Sequence, residues 1–291
     1  MAAQATNFGD GRIPHLSEGE FARFRGLVRE QTGIHLNSHK RHLLVARLRR
    51  RVQDLGLATF TDYYEYIIRD KTGNELRNFI NRITTNKTSF FREPHHFDFL
   101  RRRLIPEARG RGRRELRIWS AGCSSGEEPY SICITLREAV GDSRGWDIRI
   151  LASDIDTEVL SRAQAGTYEL DLLNDVPPAQ RHAHFLRGYG SFEGLAQVRP
   201  ELREMVEFRR INFNDPDWGV HTRFDAIFCR NVIIYFDREL QQRIVGRLAA
   251  HLKPGGYFFC GHSENLHWLG GPLVTVQPTV YRLDPEERCD S

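Results

Sequence analysis

At 291 residues, 40% hydrophobic, 27% charged and +4 in formal net charge, the chain is long enough for a full core and reads as one large or two modest globular domains; disordered and collagen-like classes are excluded. No apolar run reaches the length of a membrane span and the opening MAAQATNFGDGR lacks a signal-peptide core, so no membrane insertion is expected. Five cysteines without metal-type pairing fit free thiols in a reducing cytoplasm, and the small net charge implies no obligatory nucleic-acid role.

The first hundred residues read as helical. Ser17 and Glu20 form a capping box ahead of Phe21, Phe24 and Val28, and Gly33 stands where a C-cap falls. A second helix runs from about Lys40, with Leu44, Leu48, Val52 and Leu55 on one face and Arg47, Arg50 and Arg51 among the residues of the others. Those arginines are either a solvated face or a docking surface for an acidic partner, a polyanionic helical protein or nucleic acid. Segments Phe60–Ile68 and Leu76–Ile83 complete a small bundle.

The stretch Thr84–Arg92, TTNKTSFFR, breaks the helical period with a run of short hydrogen-bonding side chains. It is either a capped linker or a polar wall over a ligand cleft. A helix over Glu93–Arg103 follows, with Pro94 in its first turn, and the Gly/Arg-rich stretch Arg109–Arg114 marks a boundary.

Strands and helices then alternate. Leu116–Ser120 is the first strand and Glu127–Val140 the first helix; between them IWSAGCSSGEEPY forms a turn of small residues that admits close backbone approach. The lysine of a phosphate-binding loop is missing and two carboxylates stand in its place, so the turn suits a ligand without phosphate, or is simply a tight turn. Ile148–Ser153 is the second strand, ending at Asp154, the position of a ribose-binding acid, and Asp156 caps the helix Thr157–Ala165. Val206–Asn212 and Phe224–Cys229 are further strands. Asp237 caps a helix bearing Leu240, Ile244, Leu248 and Leu252, which Lys253-Pro254-Gly255-Gly256 stops. Tyr257–Cys260 and Thr279–Leu283 are the last strands. The rhythm implies an α/β fold with a doubly wound, mostly parallel sheet, and Asp154, Asn212 and Asn231 fall at the C-terminal strand ends where such sheets bind ligands. One interval, about Tyr168–Glu204, interrupts it with Pro177, Pro178 and a glycine-rich RGYGSFEGL that reads as a short antiparallel ribbon, either decoration or an edge for a partner peptide.

The blocks RITTNKTSFFRE, IWSAGCSSGEEPYSI, ILASDIDTEVL, FDAIFCRNVIIYFD and LKPGGYFFCGHSEN together resemble the CheR-type chemotaxis receptor methyltransferases, over nearly the whole chain. The resemblance implies methyl transfer from S-adenosylmethionine to chemoreceptor glutamates by a cytoplasmic enzyme, with no metal. It leaves the extreme N-terminus, expected to be flexible over 1–14, and the tail unassigned, and implies a helical domain with linker over 15–92. A methyltransferase domain then spans 93–284, with a β subdomain inserted at about 170–205, and a tail occupies 285–291. By the same resemblance Asn86, Thr88, Arg92, Glu128, Asp154, Asn212, Phe213, Arg230 and Asn231 bind the cofactor, and Arg92 and Tyr235 stand by the transferred methyl. The partner implied is the acidic helical bundle of a chemoreceptor, with the receptor's C-terminal peptide on the inserted ribbon. The alternatives are a nucleic-acid methyltransferase, favoured by the arginine run but lacking a ladder of stacking aromatics, and a non-catalytic cofactor-binding adaptor.

Overall fold

The computed structural model describes residues 15–141, 145–268 and 270–284. The segments 1–14 and 285–291, with Cys289, lie outside the described residues. The chain divides into two compact units: one holds the described residues up to Gln31 and His35–Thr84, the other Thr32–Ile34 and everything from Thr85 on. The division thus falls at Thr84/Thr85, ahead of the boundary expected at residue 92.

The first unit contains α1 (Glu18–Thr32), α2 (Arg41–Asp54), α3 (Phe60–Arg69) and α4 (Asn74–Ile83). The Ser17 amide donates to Glu20 Oε2 at 2.8 Å and the Glu20 amide to Ser17 Oγ at 3.2 Å, which satisfies two orphan donors of α1. Phe24 packs against Phe60, Tyr63, Tyr64 and Phe79 as the aromatic centre of the bundle. Two of the three arginines considered for docking are structural. Arg47 donates to the carbonyls of Ile83 and Thr84 at the C-terminus of α4, and Arg51 pairs with buried Glu75, which also accepts from the Tyr63 hydroxyl at 2.9 Å. Arg50 alone of the three is exposed. Glu75→Ala leaves the half-buried Arg51 guanidinium and the buried Tyr63 hydroxyl without their shared acceptor, so a loss of about 2–3 kcal/mol is expected in denaturant unfolding.

The second unit opens with a helical run longer than expected: α5 (His95–Phe99), a π turn (Leu100–Leu104) and α6 (Ile105–Gly110). Pro106 fits because it lies in the first turn of α6. There follow β1 (Glu115–Ala121), α7 (Glu127–Val140), β2 (Asp147–Asp154), α8 (Thr157–Ala165), β3 (Thr167–Glu169), α9 (Pro178–His184), β4 (Phe185–Arg187), β5 (Leu195–Val198), α10 (Pro200–Arg203), β6 (Val206–Arg210), β7 (Phe224–Cys229), α11 (Arg238–Ala250), β8 (Leu252–Cys260), β9 (Leu273–Gln277) and β10 (Val280–Leu283). The main sheet has the order β6-β2-β1-β7-β8-β10-β9, parallel except that β10 runs against both its neighbours. Strands in its middle are buried on both faces: Leu116, Ile118, Ala226 and Phe228 enter one core, Trp119, Ala121, Ile227 and Cys229 the other.

Two expectations change here. Lys253-Pro254-Gly255-Gly256 does not end the helix but lies inside β8, and Leu252 begins that strand rather than closing the face of α11. The Pro-Gly-Gly is tolerated because the register between β7 and β8 slips between Phe224 and Ala226. An edge strand, β9, adds to the strands expected, and the inserted antiparallel piece has three strands in the order β3-β5-β4. Cys123, Cys133, Cys229 and Cys260 are free and buried.

Candidate functional site

In the main sheet the chain leaves β1 toward β2 on one side, while β7 lies on the other, so the order reverses between β1 and β7. The crevice beyond the carboxyl ends at such a reversal is where open α/β sheets bind ligands. Gly122 stands at this point with φ +96°, and a Cβ there would lie 2.3 Å from Val232 Cγ2, so only glycine lets the tip of β1 meet the loop after β7. The Gly122 and Cys123 amides both donate to the Ser153 carbonyl, at 2.8 and 2.9 Å, which ties the turn to β2.

Asp154, the last residue of β2, accepts the Ser124 amide at 2.8 Å and the Asp156 amide at 3.0 Å. A carboxylate has about four lone-pair directions, so acceptor capacity remains. Burial, with Asp156 adding to it and the amide bonds opposing it, raises the Asp154 carboxyl to about 6. Asp156 caps α8 by accepting from the amides of Glu158 and Val159, as expected, and also accepts from Asn86 Nδ2 at 2.7 Å.

The stretch Thr85–Glu93 is pinned along its length. The Ser124 hydroxyl donates to the Asn86 carbonyl at 2.9 Å, the Phe91 amide donates to Ser131 Oγ at 2.9 Å, and the His262 amide donates to Glu93 Oε1 at 3.1 Å. Phe91 and Glu93 both have left-handed backbone, φ 53° and 58°, so Arg92 sits in a kink that its surroundings must hold. The holder is Arg230. Its guanidinium donates to the Arg92 carbonyl, lies 3.2 Å from Glu128 and 3.5 Å from Glu93, and is buried. Glu128 also accepts the Ser120 hydroxyl at 2.7 Å. Burial pushes the Glu128 carboxyl up, and Arg230 and Ser120 oppose that rise. The Arg92 guanidinium donates to the Lys87 carbonyl at 3.1 Å and is half-exposed, as is Thr88.

Asn231 follows Arg230 with φ 58°, and Tyr235 ends the 3-10 turn Ile233–Tyr235 just beyond, half-buried. Asn212 lies two residues past Arg210, the register partner of Asp154. Its side chain donates to Asp215 Oδ1 at 2.9 Å and accepts the Asn214 amide at 3.1 Å, which shapes its own loop. The ring of Phe213 is buried against Trp218, centroids 5.2 Å apart. The expected residues therefore form three groups. Asn86 and Asp154 are joined by hydrogen bonds through Ser124 and Asp156, and Arg92, Glu128 and Arg230 are joined by hydrogen bonds and ion pairs, with Ser120 on Glu128. Asn212 and Phe213 reach the same sheet end with side chains engaged locally.

Two participants were missed. Glu93 and Glu264 sit in loops with no periodicity to mark them, although both lie within or beside the blocks read from the sequence. Glu93, His95 and His96 are, among the described residues, a group of donor atoms within 4.8 Å of one another. Arg230 already sets positive charge beside Glu93, and His96 and His95 both approach Thr279 Oγ1, at 2.7 and 3.0 Å. Burial, then the Arg230 charge, lowers His96 to about 2, so it is neutral.

Comparison with known proteins shows the family of the chain. Residues 86–280 match the family model described as CheR methyltransferase, SAM binding domain, and residues 19–84 that described as CheR methyltransferase, all-alpha domain. The chemotaxis protein methyltransferase of Klebsiella aerogenes is 44% identical over 276 residues, 95% of this chain and 93% of the relative. That of Salmonella typhimurium is 44% identical over 273 residues, 94% and 92% of the two chains. Chemotaxis protein methyltransferase 2 of Pseudomonas aeruginosa is 45% identical over 271 residues, 92% and 94%. The chain belongs to the CheR methyltransferase family.

Proposed function

We propose that this chain transfers the methyl group of S-adenosylmethionine to glutamate side chains of membrane chemoreceptors. The products are glutamate methyl esters and S-adenosylhomocysteine, and the reaction serves chemotaxis adaptation. The observation that carries this reading is the clamp on Arg92. The backbone that carries this cation is left-handed on either side of it and is held at the Arg92 carbonyl by the buried guanidinium of Arg230, which follows β7.

The residues suit an adenosyl ligand and not a phosphate: the turn after β1 presents carboxylates, and Asp154 keeps acceptor positions for ribose hydroxyls. When bound, S-adenosylmethionine supplies a methyl carbon already activated by its sulfonium. In this reading Asp154 accepts from the ribose, the loop at Asn212 and Phe213 borders the adenine, and Asn86, Thr88, Glu128, Arg230 and Asn231 line the methionine portion. Arg92 orients the incoming carboxylate by charge-assisted hydrogen bonds, and Tyr235 shapes the cleft. The acceptor glutamate, with an ordinary pKa of about 4.3, is ionised at neutral pH, so the reaction needs alignment rather than a general base. No metal enters the scheme. The acceptor is read as the acidic cytoplasmic bundle of the receptor. The edge strand β4, flanked by exposed Leu186, Tyr189 and Phe192, suits a receptor tail peptide that adds a strand. Among the described residues no helix is long and apolar enough to cross a membrane.

Tritiated-methyl transfer to receptor membranes, to receptors lacking their C-terminal tails and to nucleic acid tests the reading. Base-stable label on nucleic acid, with none on receptors, would overturn it. Transfer to neither acceptor by cofactor-binding protein would point to an adaptor.

Asp154 sets a pH dependence. Its carboxyl offers full acceptor capacity above about 6, so cofactor affinity is expected to fall as pH drops through that value, approaching about tenfold per pH unit. The same upward shift works oppositely on the free fold. This group favours the folded state below its ordinary 3.8, and that contribution is lost as pH rises through about 6. Titration calorimetry at pH 5 and pH 8 checks the affinity, and Asp154→Asn should bind weakly at both with the slope gone.

A further inference from the structure

The proposed reaction uses no atom of Glu264, yet this residue occupies an unusual position. It is a buried carboxylate that accepts backbone amides from two separate strand tips. Gly261, after β8, donates at 2.6 Å and Asn231, after β7, at 2.7 Å to one oxygen; Val232 at 2.9 Å and Ile234 at 3.4 Å donate to the other. Among the described residues it forms no ion pair, so backbone dipoles alone hold the anion. Burial raises its carboxyl and the four amides work against that rise. Such charge-assisted bonds are the strong kind, and four of them from one carboxylate fix both tips at once.

What they fix is the approach to the cleft. Asn231 has left-handed backbone, a conformation a non-glycine residue keeps only when its surroundings impose it. Its side chain lies against Gly261, where a Cβ would fall 2.3 Å from Asn231 Nδ2. Val232 and Ile234 lead into the turn that carries Tyr235. We infer that Glu264 is a positioning residue for methyl transfer: by gathering the amides of Asn231, Val232, Ile234 and Gly261 it sets where Asn231 and Tyr235 stand. The inference rests on the proposed receptor methylation. A carboxylate that merely knits two loops together would affect stability and leave kinetics per folded molecule alone.

Glu264→Gln keeps the shape but turns an amide NH2 toward backbone donors. Its kcat for receptor methylation is expected to fall about 10²-fold, the loss a misplacement near 1 Å produces, with the receptor KM unchanged. In an Asn231→Ala background the same substitution should add about twofold or less, because both act through one loop. A Glu264→Gln enzyme with lowered Tm but wild-type kcat, or full additivity with Asn231→Ala, would overturn the inference. If the variant does not fold, hydrogen exchange of the wild type decides. The Asn231, Val232 and Gly261 amides should exchange as slowly as those of β7, and exchange at loop rates would overturn the inference. A wild-type chain that methylates no receptor would sink the proposed function instead, with the exchange result still reporting on Glu264.

Discussion

Arg230→Ala is expected to lower stability by about 3–5 kcal/mol, the loss typical when one partner of a buried ion pair is removed. The guanidinium side chain is 2% exposed and lies between Glu93 and Glu128, themselves 13% and 12% exposed, so its loss leaves two carboxylates without the cation they are paired with. The Arg92 carbonyl loses its donor in the same step, and the kink between Phe91 and Glu93 loses its holder. For a unit of this size the change corresponds to a Tm drop on the order of 10 °C. The pH dependence identifies the cause. Burial already raises Glu128, and without Arg230 its folded-state pKa rises further. A raised acid stabilises the fold below its unfolded pKa, and that contribution is lost as pH climbs through the folded one, so the gap to wild type should narrow on acidification. A gap that stays constant with pH would mean the loss comes from the cavity, not the charges. Arg230→Lys should recover only part of the stability, since it restores the charge but a compact ammonium lacks the spread planar fork that spans both carboxylates and the carbonyl.

These contacts explain which parts of the molecule could be read from the sequence. Local signals were sufficient for α7, which spans the expected Glu127–Val140, for Asp156 as the cap of α8, and for β7 over Phe224–Cys229. Each rests on a cap, a periodicity or an apolar run contained within the element. Where two elements determine the outcome together, the signal was lost. Pro254-Gly255-Gly256 carries every mark of a helix stop, and only the slipped pairing with β7 makes it strand. Strand β9, LVTVQ, is half exposed at a sheet edge and too short for its alternation to stand out. The same limit applies to the site. Asp154 and Asn231 could be picked out because strand ends are special positions in any doubly wound sheet. The function of Arg230 depends on Glu128, 102 residues away in the chain, and on the Arg92 carbonyl, 138 away, and no spacing rule connects them. The arginine run of α2 shows the same limit. Composition left a solvated face and a docking face both open, and packing engages half-buried Arg47 and Arg51 with partners inside their own bundle.

Arg92→Ala should separate catalysis from folding more cleanly than any other substitution in the site. The side chain is half-exposed, and the backbone around it is held by Arg230, Ser131 and the His262–Glu93 contact, none of which needs the Arg92 guanidinium. Stability should therefore stay within about 0.5 kcal/mol of wild type, as for most surface substitutions. Activity should not. The guanidinium gives a single hydrogen bond to the Lys87 carbonyl, and the rest of its planar fork can meet a carboxylate in two-pronged geometry. If it orients the acceptor oxygen for in-line attack, its removal should lower kcat about 10²–10³-fold, part of the roughly 7–11 kcal/mol that alignment can supply. Arg92→Lys then discriminates between charge and geometry. Lysine keeps the attraction for an acidic acceptor but cannot bind both carboxylate oxygens in plane, so kcat should recover only slightly while receptor KM returns toward wild type. Full recovery by lysine would reduce Arg92 to an electrostatic lure, and wild-type turnover in Arg92→Ala would remove it from the reaction. The left-handed backbone at Phe91 and Glu93, held at the Arg92 carbonyl by Arg230, is the observation that motivates the test.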